Sequence, residues 1–433
     1  MFGRNHDSVI AVREFGLLLN GGNESSTDCH SIPSKAFEWL MVNGQSNSQD
    51  SVDLIKVKKH GSSIALQVLN YVGVLETPCG TRIEILPKIS DKQDSQATTK
   101  VLLKMLSTVH KLNMHGFENA ALQTLNRPLF EVLIGYFLNE ASGVIKKGIR
   151  SQYTRVQDRK PYLKGQLQTS KQINQRPGCL NSFHISYDEF SSDRAENRLI
   201  RSALNQVMKW SKNSDNLRLG SELQFALDDI PCSPNYALDF RQWSKDRSLI
   251  HYRDVKPWCE LILSYQSPIS LSGGHNGISM LFPMERLFEQ YVALRLGNSL
   301  SHDLMLRTQA SSCALVTHKP LRGKSQEWFR LKPDIVVSDK TSNKPLYVAD
   351  TKWKRINEKQ ATAKQKYGIS QSDMYQMFAY GYKYLGGSGV VYLIYPAYEH
   401  FNELLPPFMC DNRLSVKAIP YDLTNDKCEL LDI

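Results

Sequence analysis

The residues best placed to do chemistry lie on two short apolar stretches in the last third of the chain. Asp334 follows Pro333 and precedes a run of branched residues, whereas Asp350, 16 positions after Asp334, and Lys352 interrupt a second apolar run. Ionised side chains are costly on a buried strand unless they are paired, bind a metal or reach solvent. Because residues i and i+2 of a strand point to the same face, Asp350 and Lys352 share one face, which a neighbouring strand could bring close to Asp334.

Two carboxylates and one ammonium suit phosphodiester hydrolysis. Asp334 and Asp350 can hold Mg²⁺ through oxygen ligands while the ion keeps some of its water molecules. The ion then polarises the phosphate and generates the nucleophile, and Lys352 orients or deprotonates the attacking water and offsets the developing charge. The alternative is an Asp–Lys salt bridge on a partly exposed strand, since the pattern D-x-K arises often by chance.

The elements that must position these residues can be predicted from hydrophobic periodicity. The pattern has the order α-β-β-β-α-β. It predicts a helix over 284–300, strands over 304–309, 329–338 and 345–353, a helix over 370–385 and a strand over 390–395.

This order and these residues together resemble the PD-(D/E)xK nuclease superfamily over about residues 278–400. The resemblance implies that Asp334 and Asp350 are metal ligands and that Lys352 is the catalytic lysine. It also implies that the first helix contributes an acidic residue, which is Glu289 by the string LFEQYVA. Glu285 competes for this role, because it lies one turn earlier on a similar face.

The second helix offers one further candidate. Asp373, Gln376 and Tyr380 share one face of this helix at positions i, i+3 and i+7. Gln376 could therefore turn towards the site and support a phosphate or Lys352. The alternative is an ordinary polar helix face.

A closer resemblance extends over most of the chain. The strings that carry it are PMERLFEQYV, RLKPDIVV, YVADTKWK, SDMYQMFAYG, YLKGQL (162–167), DEFSSDRAENRLIRSAL (188–204) and IEILPKI (83–89). They look like the McrC family, the nuclease subunits of McrBC-type modification-dependent restriction systems. The likeness is strongest from Met284 to Pro396 and weakest before Thr81.

The McrC resemblance implies a partner and a substrate. Family members cleave double-stranded DNA in complex with McrB, an AAA+ GTPase ring, and we expect the N-terminal region to dock on that ring and stimulate it. Arg82 and Lys88 flank the IEILP strand and are candidates for this contact. The chain has no P-loop of its own, because the single Gly323-Lys324-Ser325 has His318 where the first glycine should be. Double-strand cutting favours an assembly with two copies.

The rest of the chain divides by composition. We expect a multidomain α+β protein with a β-rich partner-docking domain over 1–95, a mainly helical middle region over 96–272 and an α/β nuclease domain over 273–433. The first region has strand patterns from Val9 to Leu19, from Leu54 to Leu75 and over 81–89, and the second has helical patterns over 128–149 and 196–210. The Gly273-Gly274 pair marks the second boundary.

A basic segment in the middle region is a candidate for DNA contact. Its strongest candidates are Arg150, Arg155, Arg159 and Lys160, which alternate with tyrosines. A cationic surface with aromatic platforms can follow a nucleic-acid backbone. A solvated linker explains the segment equally well, in which case Lys354 and Arg355, next to Lys352, are the alternative DNA contacts.

Composition favours some classes of protein and argues against others. The 433 residues carry a formal net charge of +10, which favours a polyanionic partner. There is no apolar run of about eighteen residues and no signal-peptide pattern, so we expect a cytoplasmic protein without a membrane span. The eight cysteines form no C-x-x-C pair, and the nearest histidines, His110 and His115, do not share a helix face, which argues against zinc.

Three functions therefore remain open at the level of sequence. The first is a Mg²⁺-dependent endonuclease subunit driven by a GTPase. The second is a self-sufficient PD-(D/E)xK nuclease for repair, recombination or transposition. The third is a non-catalytic adaptor that activates the GTPase and uses its nuclease fold as a DNA clamp.

Overall fold

The structure, a computed structural model, describes residues 9–44, 53–89, 95–114, 128–176, 181–244, 246–264 and 279–431. The chain divides into two compact units. The first comprises Met1–Leu112, Asn119–Leu129 and Ser267–Ile433, and the second comprises Asn113–Glu118 and Phe130–Gln266. The predicted boundary at Gly273-Gly274 lies outside the described residues, and the division into three domains stays a prediction.

The helices and strands are numbered here in chain order. The strands are β1 (Ile10–Arg13), β2 (Leu17–Asn20), β3 (Cys29–Ile32), β4 (Ile55–His60), β5 (Ser63–Val68), β6 (Tyr71–Glu76), β7 (Arg82–Leu86), β8 (Gln152–Lys160), β9 (Gln166–Leu167), β10 (Phe183–Ser191), β11 (Ser279–Pro283), β12 (Leu304–Thr308), β13 (Ala314–His318), β14 (Gln326–Arg330), β15 (Ile335–Asp339), β16 (Pro345–Thr351), β17 (Gly389–Pro396), β18 (Phe408–Met409) and β19 (Leu414–Tyr421). The helices are α1 (Ser34–Asn43), α2 (Ser95–His110), α3 (Leu129–Lys146), α4 (Thr169–Ile173), α5 (Ala195–Trp210), α6 (Ser214–Ala226), α7 (Tyr236–Gln242), α8 (Lys256–Ser264), α9 (Met284–Ser299) and α10 (Gln371–Leu385). None of these described helices has the length and apolar character needed to cross a bilayer.

The N-terminal part is rich in strands, as the sequence predicts. Two four-stranded sheets have the orders β3-β2-β5-β4 and β1-β7-β6-β11. Alternating apolar residues of both sheets and the inner face of α1 form one core, which includes Val12, Leu66 and Ile83. Strand β11 comes from beyond the predicted helical region, yet it pairs antiparallel with β6. The N-terminal sheet is therefore completed by residues near the start of the C-terminal part.

The C-terminal part is built on a six-stranded sheet with the order β12-β15-β16-β17-β19-β18. Strands β16 and β17 run parallel, so the chain has to cross over between them, and α10 provides this crossover. Ser370 and Asp373 form a capping box at the start of α10, and Gly386 ends it in the left-handed conformation. The predicted helices over 284–300 and 370–385 are confirmed as α9 and α10, and the predicted strand over 390–395 as β17.

The predicted strand over 329–338 is wrong in one respect, because the structure divides it. Residues up to Arg330 belong to β14, which pairs only with β13 among the described strands, whereas β15 starts at Ile335 and joins the large sheet. Pro333 lies in the break, where a residue without an N–H cannot continue a strand ladder. Strands β13 and β14 form a hairpin that the sequence analysis did not predict.

The second unit is mainly helical, as predicted, but it also contains a sheet. The predicted helices over 128–149 and 196–210 correspond to α3 and α5. Strands β8, β9 and β10 form a three-stranded sheet in which β10 pairs with β8 over nine residues. The basic segment lies mainly on β8, so the alternative explanation of a linker does not describe this part of the chain.

Two buried glutamates of the first unit accept hydrogen bonds from residues distant in the chain. Glu14 accepts hydrogen bonds from the Lys88 N–H at 2.8 Å and from Trp353 Nε1 at 2.8 Å. Glu84 of β7 accepts a 2.8 Å bond from the N–H of Leu129, at the start of α3. Burial raises the pKa of each carboxyl to about 7, although these hydrogen bonds favour the ionised form.

These pKa values predict how stability depends on pH. Because each carboxyl has a higher pKa in the folded chain than in the unfolded chain, the folded state holds more protons between about pH 4.5 and 7. The free energy of unfolding should therefore fall as pH rises through this window, by up to about 1.4 kcal/mol per pH unit for each group. Glu14→Gln and Glu84→Gln should each reduce this fall in urea titrations at several pH values.

The matched control is Glu38→Gln, which removes one exposed carboxyl from α1. Its stability should follow pH as that of the wild type does. If Glu14→Gln and Glu84→Gln also matched the wild type across the window, the two buried carboxyls would have ordinary pKa values.

Candidate active site

The two predicted acidic residues lie opposite each other on neighbouring strands. Strand β15 pairs antiparallel with β16, with Ile335 opposite Ala349. Continuing this register by one residue places Asp334 opposite Asp350. Side chains at opposite positions of an antiparallel pair point to the same face, so the structure brings the two carboxylates together.

Each carboxylate has its own hydrogen-bond donor or counter-charge. Asp334 Oδ2 accepts two 2.8 Å hydrogen bonds, from the N–H and from the hydroxyl of Thr351. Asp350 Oδ2 lies 2.6 Å from Lys352 Nζ. The side chain of Asp350 is only 2 % exposed, whereas that of Lys352 is 27 % exposed. The ammonium therefore lies on the solvent side of a buried carboxylate.

The electrostatics of the pair follow from burial and proximity. Burial raises the pKa of Asp350 to about 7, and the charge of Asp334 contributes to this rise. Burial also raises the pKa of Asp334, against the two hydrogen bonds from Thr351. Burial lowers the pKa of Lys352, but the charges of Asp350 and Asp334 outweigh it, so that the pKa lies above its ordinary value and the side chain is an ammonium at neutral pH.

Glu289 of α9 joins this group through a residue that the sequence analysis missed. Gln309 Nε2 donates to Glu289 Oε1 and, at 3.3 Å, to Asp334 Oδ1. Its N–H donates to the Asp334 carbonyl at 3.1 Å, and its φ of +49° is uncommon for a residue with a side chain. Burial, and then the charge of Asp334, raise the pKa of Glu289. The hydrogen bonds of Gln309 thus connect helix α9 to Asp334, the residue that precedes β15.

Glu285, the competing acidic residue, lies elsewhere. It is exposed in the first turn of α9, and its charge adds to the effect of burial in raising the pKa of Glu14. The contacts of Gln309 therefore connect Glu289 to the carboxylate pair. The catalytic role of Glu289 stays a prediction.

Gln376 contacts the lysine, as the helix face predicted. Its Oε1 accepts a 3.1 Å hydrogen bond from Lys352 Nζ, and its Nε2 donates to the hydroxyl of Tyr380 at 2.7 Å. The Tyr380 hydroxyl donates in turn to the Lys332 carbonyl at 3.0 Å. This chain of bonds holds the amide of Gln376 in one orientation, with its oxygen towards Lys352.

The charge balance of this cluster fits a divalent cation. Three carboxyl groups, those of Asp334, Asp350 and Glu289, lie near one ammonium, so the cluster has an excess of negative charge when these groups are ionised, and the pKa of each carboxyl is raised. Over the ranges that the structure describes, no group of three or more histidine, cysteine or carboxylate side chains is close enough to form a complete ligand set. The Asp334–Asp350 pair offers two carboxylates, and Mg²⁺ is usually held by one or two carboxylates with water in its other positions.

The predicted DNA-contacting residues are distributed over both units. Lys354 is exposed next to Trp353, and the guanidinium of Arg355 lies 4.3 Å from the ring centroid of Tyr398. Arg150, Arg155, Arg159 and Lys160 belong to the second unit.

The β8 residues of this set make hydrogen bonds within their own sheet. Arg155 donates to Ser186, and Arg159 donates to Ser182. Lys160 donates to the hydroxyl of Tyr187. DNA contact by any of the residues proposed for it stays a prediction.

Comparison with known proteins identifies the family. Residues 66–396 match the family model described as McrBC 5-methylcytosine restriction system component.

The chain belongs to this McrBC family.

Solved structures support the same assignment at the level of the fold. One chain from a half-complex of the tetradecameric assembly of Thermococcus gammatolerans McrB AAA+ hexamers with bound McrC has a TM-score of 0.69 and 19 % identity, over 98 % of each chain. A chain of the Thermococcus gammatolerans McrBC complex has a TM-score of 0.50 and 21 % identity, over 68 % of this chain and 88 % of that chain. No curated protein matches the sequence.

The excess negative charge predicts that a divalent cation stabilises the fold. A ligand that binds only the folded state raises stability in proportion to the logarithm of its concentration, by about 2.7 kcal/mol at 100 times its Kd. Mg²⁺ added to metal-free protein should therefore raise the melting temperature, and EDTA should reverse the rise. The double variant Asp334→Asn/Asp350→Asn should lose this response.

The control for this measurement is Asp303→Asn, which removes an exposed carboxylate before β12. It should respond to Mg²⁺ as the wild type does. An equal response in the double variant would place the metal at other residues.

Proposed function

We propose that this McrBC-family chain is a Mg²⁺-dependent DNA endonuclease subunit, a phosphodiester hydrolase of a modification-dependent, methylcytosine-type (type IV) restriction system. The observation that carries the proposal is the opposed pair Asp334 and Asp350 with Lys352 beside it. Buried carboxylates with an excess of negative charge are unfavourable for folding alone, which favours a functional reason for them.

Each residue of the cluster has a defined part in this chemistry. Asp334 and Asp350 would hold the Mg²⁺, with Glu289 next to them. When bound, the ion supplies a polarised phosphate and a water of lowered pKa. Lys352 is an ammonium that offsets the charge developing on the phosphate, and Gln376 keeps it oriented.

The order of elements supports a PD-(D/E)xK core. Leaving the β13–β14 hairpin aside, the chain runs α9, β12, β15, β16, α10 and β17, which is the α-β-β-β-α-β order of the resemblance. Helix α9 carries Glu289 and helix α10 carries Gln376. Asp334 directly precedes β15, Asp350 lies on β16, and Lys352 directly follows β16. All five proposed residues therefore lie on, or next to, the elements expected of that core.

The proposed partner is a McrB-like AAA+ GTPase ring. The family description and a similar chain from an assembly of McrB hexamers with bound McrC support this part of the proposal. The chain's single Gly-Lys-Ser lies in the loop that joins β13 to β14, before a strand, whereas a P-loop precedes a helix. We propose that the β-rich residues 1–95 dock on the ring and that two copies cut the two strands.

Of the two residues named for docking, the structure favours Lys88. Arg82 is buried and donates to Glu76 at 2.7 Å. Lys88 is about one-third exposed and lies 3.5 Å from Asp28.

The central test is cleavage by catalytic variants. The wild-type chain with Mg²⁺, duplex DNA carrying methylcytosine, the GTPase and GTP should cut the DNA. Asp350→Ala and Lys352→Ala should each lose orders of magnitude in rate, because the metal site and its neighbouring charge supply most of the transition-state stabilisation. Both variants should still stimulate GTP hydrolysis, and Lys352→Ala should still bind Mg²⁺.

The outcomes separate the alternative functions. Cutting without the partner would favour a self-sufficient nuclease. Stimulation of the GTPase without cutting by the wild type would favour a non-catalytic adaptor. Undiminished cutting by Asp350→Ala would refute the assignment of the site.

DNA contact by the basic segment on and before β8 is tested separately, through the salt dependence of DNA binding. Each phosphate contact contributes about 0.9 to the slope of log K against log salt on duplex DNA. If Arg150, Arg155, Arg159 and Lys160 follow the DNA backbone, replacing all four with glutamine should reduce the slope of the assembled complex by roughly 3 to 4. An unchanged slope would mean that these residues serve their own sheet, to which three of them donate hydrogen bonds.

A further inference from the structure

Most residues of the β13–β14 hairpin, including large apolar ones, are exposed to solvent. Every residue of β14 is exposed, and so are four of the five residues of β13. Large apolar side chains point into solvent: Leu321 is fully exposed, and Phe329 and Trp328 are 70 % and 40 % exposed. The apolar residues of this hairpin are not used to build a core.

The same hairpin carries a strong positive charge. Between residues 310 and 332 there are five basic side chains, Lys319, Arg322, Lys324, Arg330 and Lys332, and one acidic side chain, Glu327. Glu327 pairs with Arg330 at 3.1 Å. The loop that joins the two strands contains three basic side chains, Lys319, Arg322 and Lys324, and no acidic one.

Both ends of the hairpin are attached to the candidate active site. Gln309, which contacts Glu289 and Asp334, lies at the start of this segment, and Asp334 itself follows its end. The Leu331 N–H donates to the Cys313 carbonyl at 2.9 Å and closes the base. Tyr380, which contacts Gln376, donates to the Lys332 carbonyl. The base of the hairpin is therefore fixed beside the carboxylate pair, and its loop lies one strand length, about 17 Å, further out.

Phe329 has a strained backbone. Its φ is +57°, in the left-handed region that costs roughly 1 to 2 kcal/mol for a residue with a side chain. The strained conformation does not serve to bury the side chain, because Phe329 remains 70 % exposed. Residues held in sparsely populated backbone conformations cluster at active and ligand-binding sites.

We propose that the β13–β14 hairpin is a DNA-binding arm that lies in a groove of duplex DNA and holds the duplex at the carboxylate pair. This inference rests on the proposed nuclease function. Two-stranded β-ribbons fit the major groove, and strands of five residues reach about 17 Å. The basic loop contacts phosphates, and the ring of Phe329 contacts the surface of the groove. The excess of basic side chains favours a polyanion over a protein partner.

An alternative explanation is that the charges protect two unpaired strand edges from aggregation. In that case the positive charges would affect solubility and not DNA affinity. The salt dependence of duplex binding separates these two effects, because charges that serve only solubility leave it unchanged.

The first measurement is the salt dependence of duplex binding by the full chain assembled with the GTPase, without divalent cations so that the DNA stays intact. Lys319→Gln/Arg322→Gln/Lys324→Gln should reduce the slope of log K against log salt by about 0.9 for each lost contact, up to roughly 2.7. The matched control is Lys209→Gln/Arg218→Gln/Arg241→Gln, which removes three exposed positive charges from helices α5, α6 and α7, outside the regions proposed to contact DNA or the GTPase. Its slope should equal that of the wild type.

The second measurement separates binding from folding at Phe329. Phe329→Gly relieves the positive φ, so its melting temperature should equal or exceed that of the wild type, while its duplex affinity should fall several-fold. Phe329→Tyr keeps the ring and should keep the affinity. A lowered melting temperature with unchanged affinity for Phe329→Gly would make the ring structural and overturn its proposed role.

The remaining outcomes distinguish this inference from the proposed function. An unchanged slope in the loop variant, with normal cleavage by the wild type, would overturn the DNA-binding arm alone. Loss of GTPase stimulation with an unchanged slope would make the hairpin a protein-docking element and would also overturn it. A wild type that binds duplex through the hairpin but never cuts would contradict the nuclease function and leave the arm supported.

Discussion

Asp334 and Asp350 occupy opposite positions on two antiparallel strands, and this close pair of like charges determines what the surrounding residues must be. Thr351 satisfies Asp334 with two hydrogen bonds, and Lys352 places an ammonium beside Asp350. Residues 350–352 are consecutive, so one short stretch at the end of β16 supplies both the hydrogen-bond donors of Asp334 and the counter-charge of Asp350. The main-chain N–H of Lys352 donates to the Ile394 carbonyl of β17, which fixes the strand that carries these residues. A shift of register by one residue would turn Asp350 away from Asp334.

The part of the site that depends on local periodicity could be predicted from the sequence, and the part that depends on distant contacts could not. Two-residue alternation placed Asp350 and Lys352 on one face, and helical spacing turned Gln376 towards them. Gln309 was missed because a single glutamine after a strand has no distinguishing pattern. Its importance comes from two partners 20 and 25 residues away.

The same distinction applies to the fold. The β-rich start and the two helices of the C-terminal part follow from composition and period. The pairing of β11 with β6, and the hydrogen bonds from Trp353 to Glu14, join residues that are about 200 or more positions apart. No local sequence pattern predicts either contact. A fragment of residues 1–265 would lack β11 and would leave one edge of the N-terminal sheet unpaired, so variants of the full chain are the better means of testing its proposed docking role.

The proposed chemistry also explains why the positive charge of the chain must act close to the site. When ionised, the carboxylate cluster has an excess of negative charge, which would repel a phosphate unless a bound divalent cation neutralised it. Salt screens charges beyond about 8 Å at physiological ionic strength, so a net charge of +10 spread over the surface cannot overcome this local repulsion. Basic side chains on an element attached to Asp334 can do so, because they act on the neighbouring phosphates of the same duplex. Under the two proposals, the hairpin would supply affinity that does not depend on the metal. The scissile phosphate would enter the site only with the cation present, so that binding of DNA and its cleavage would be separate steps with separate requirements.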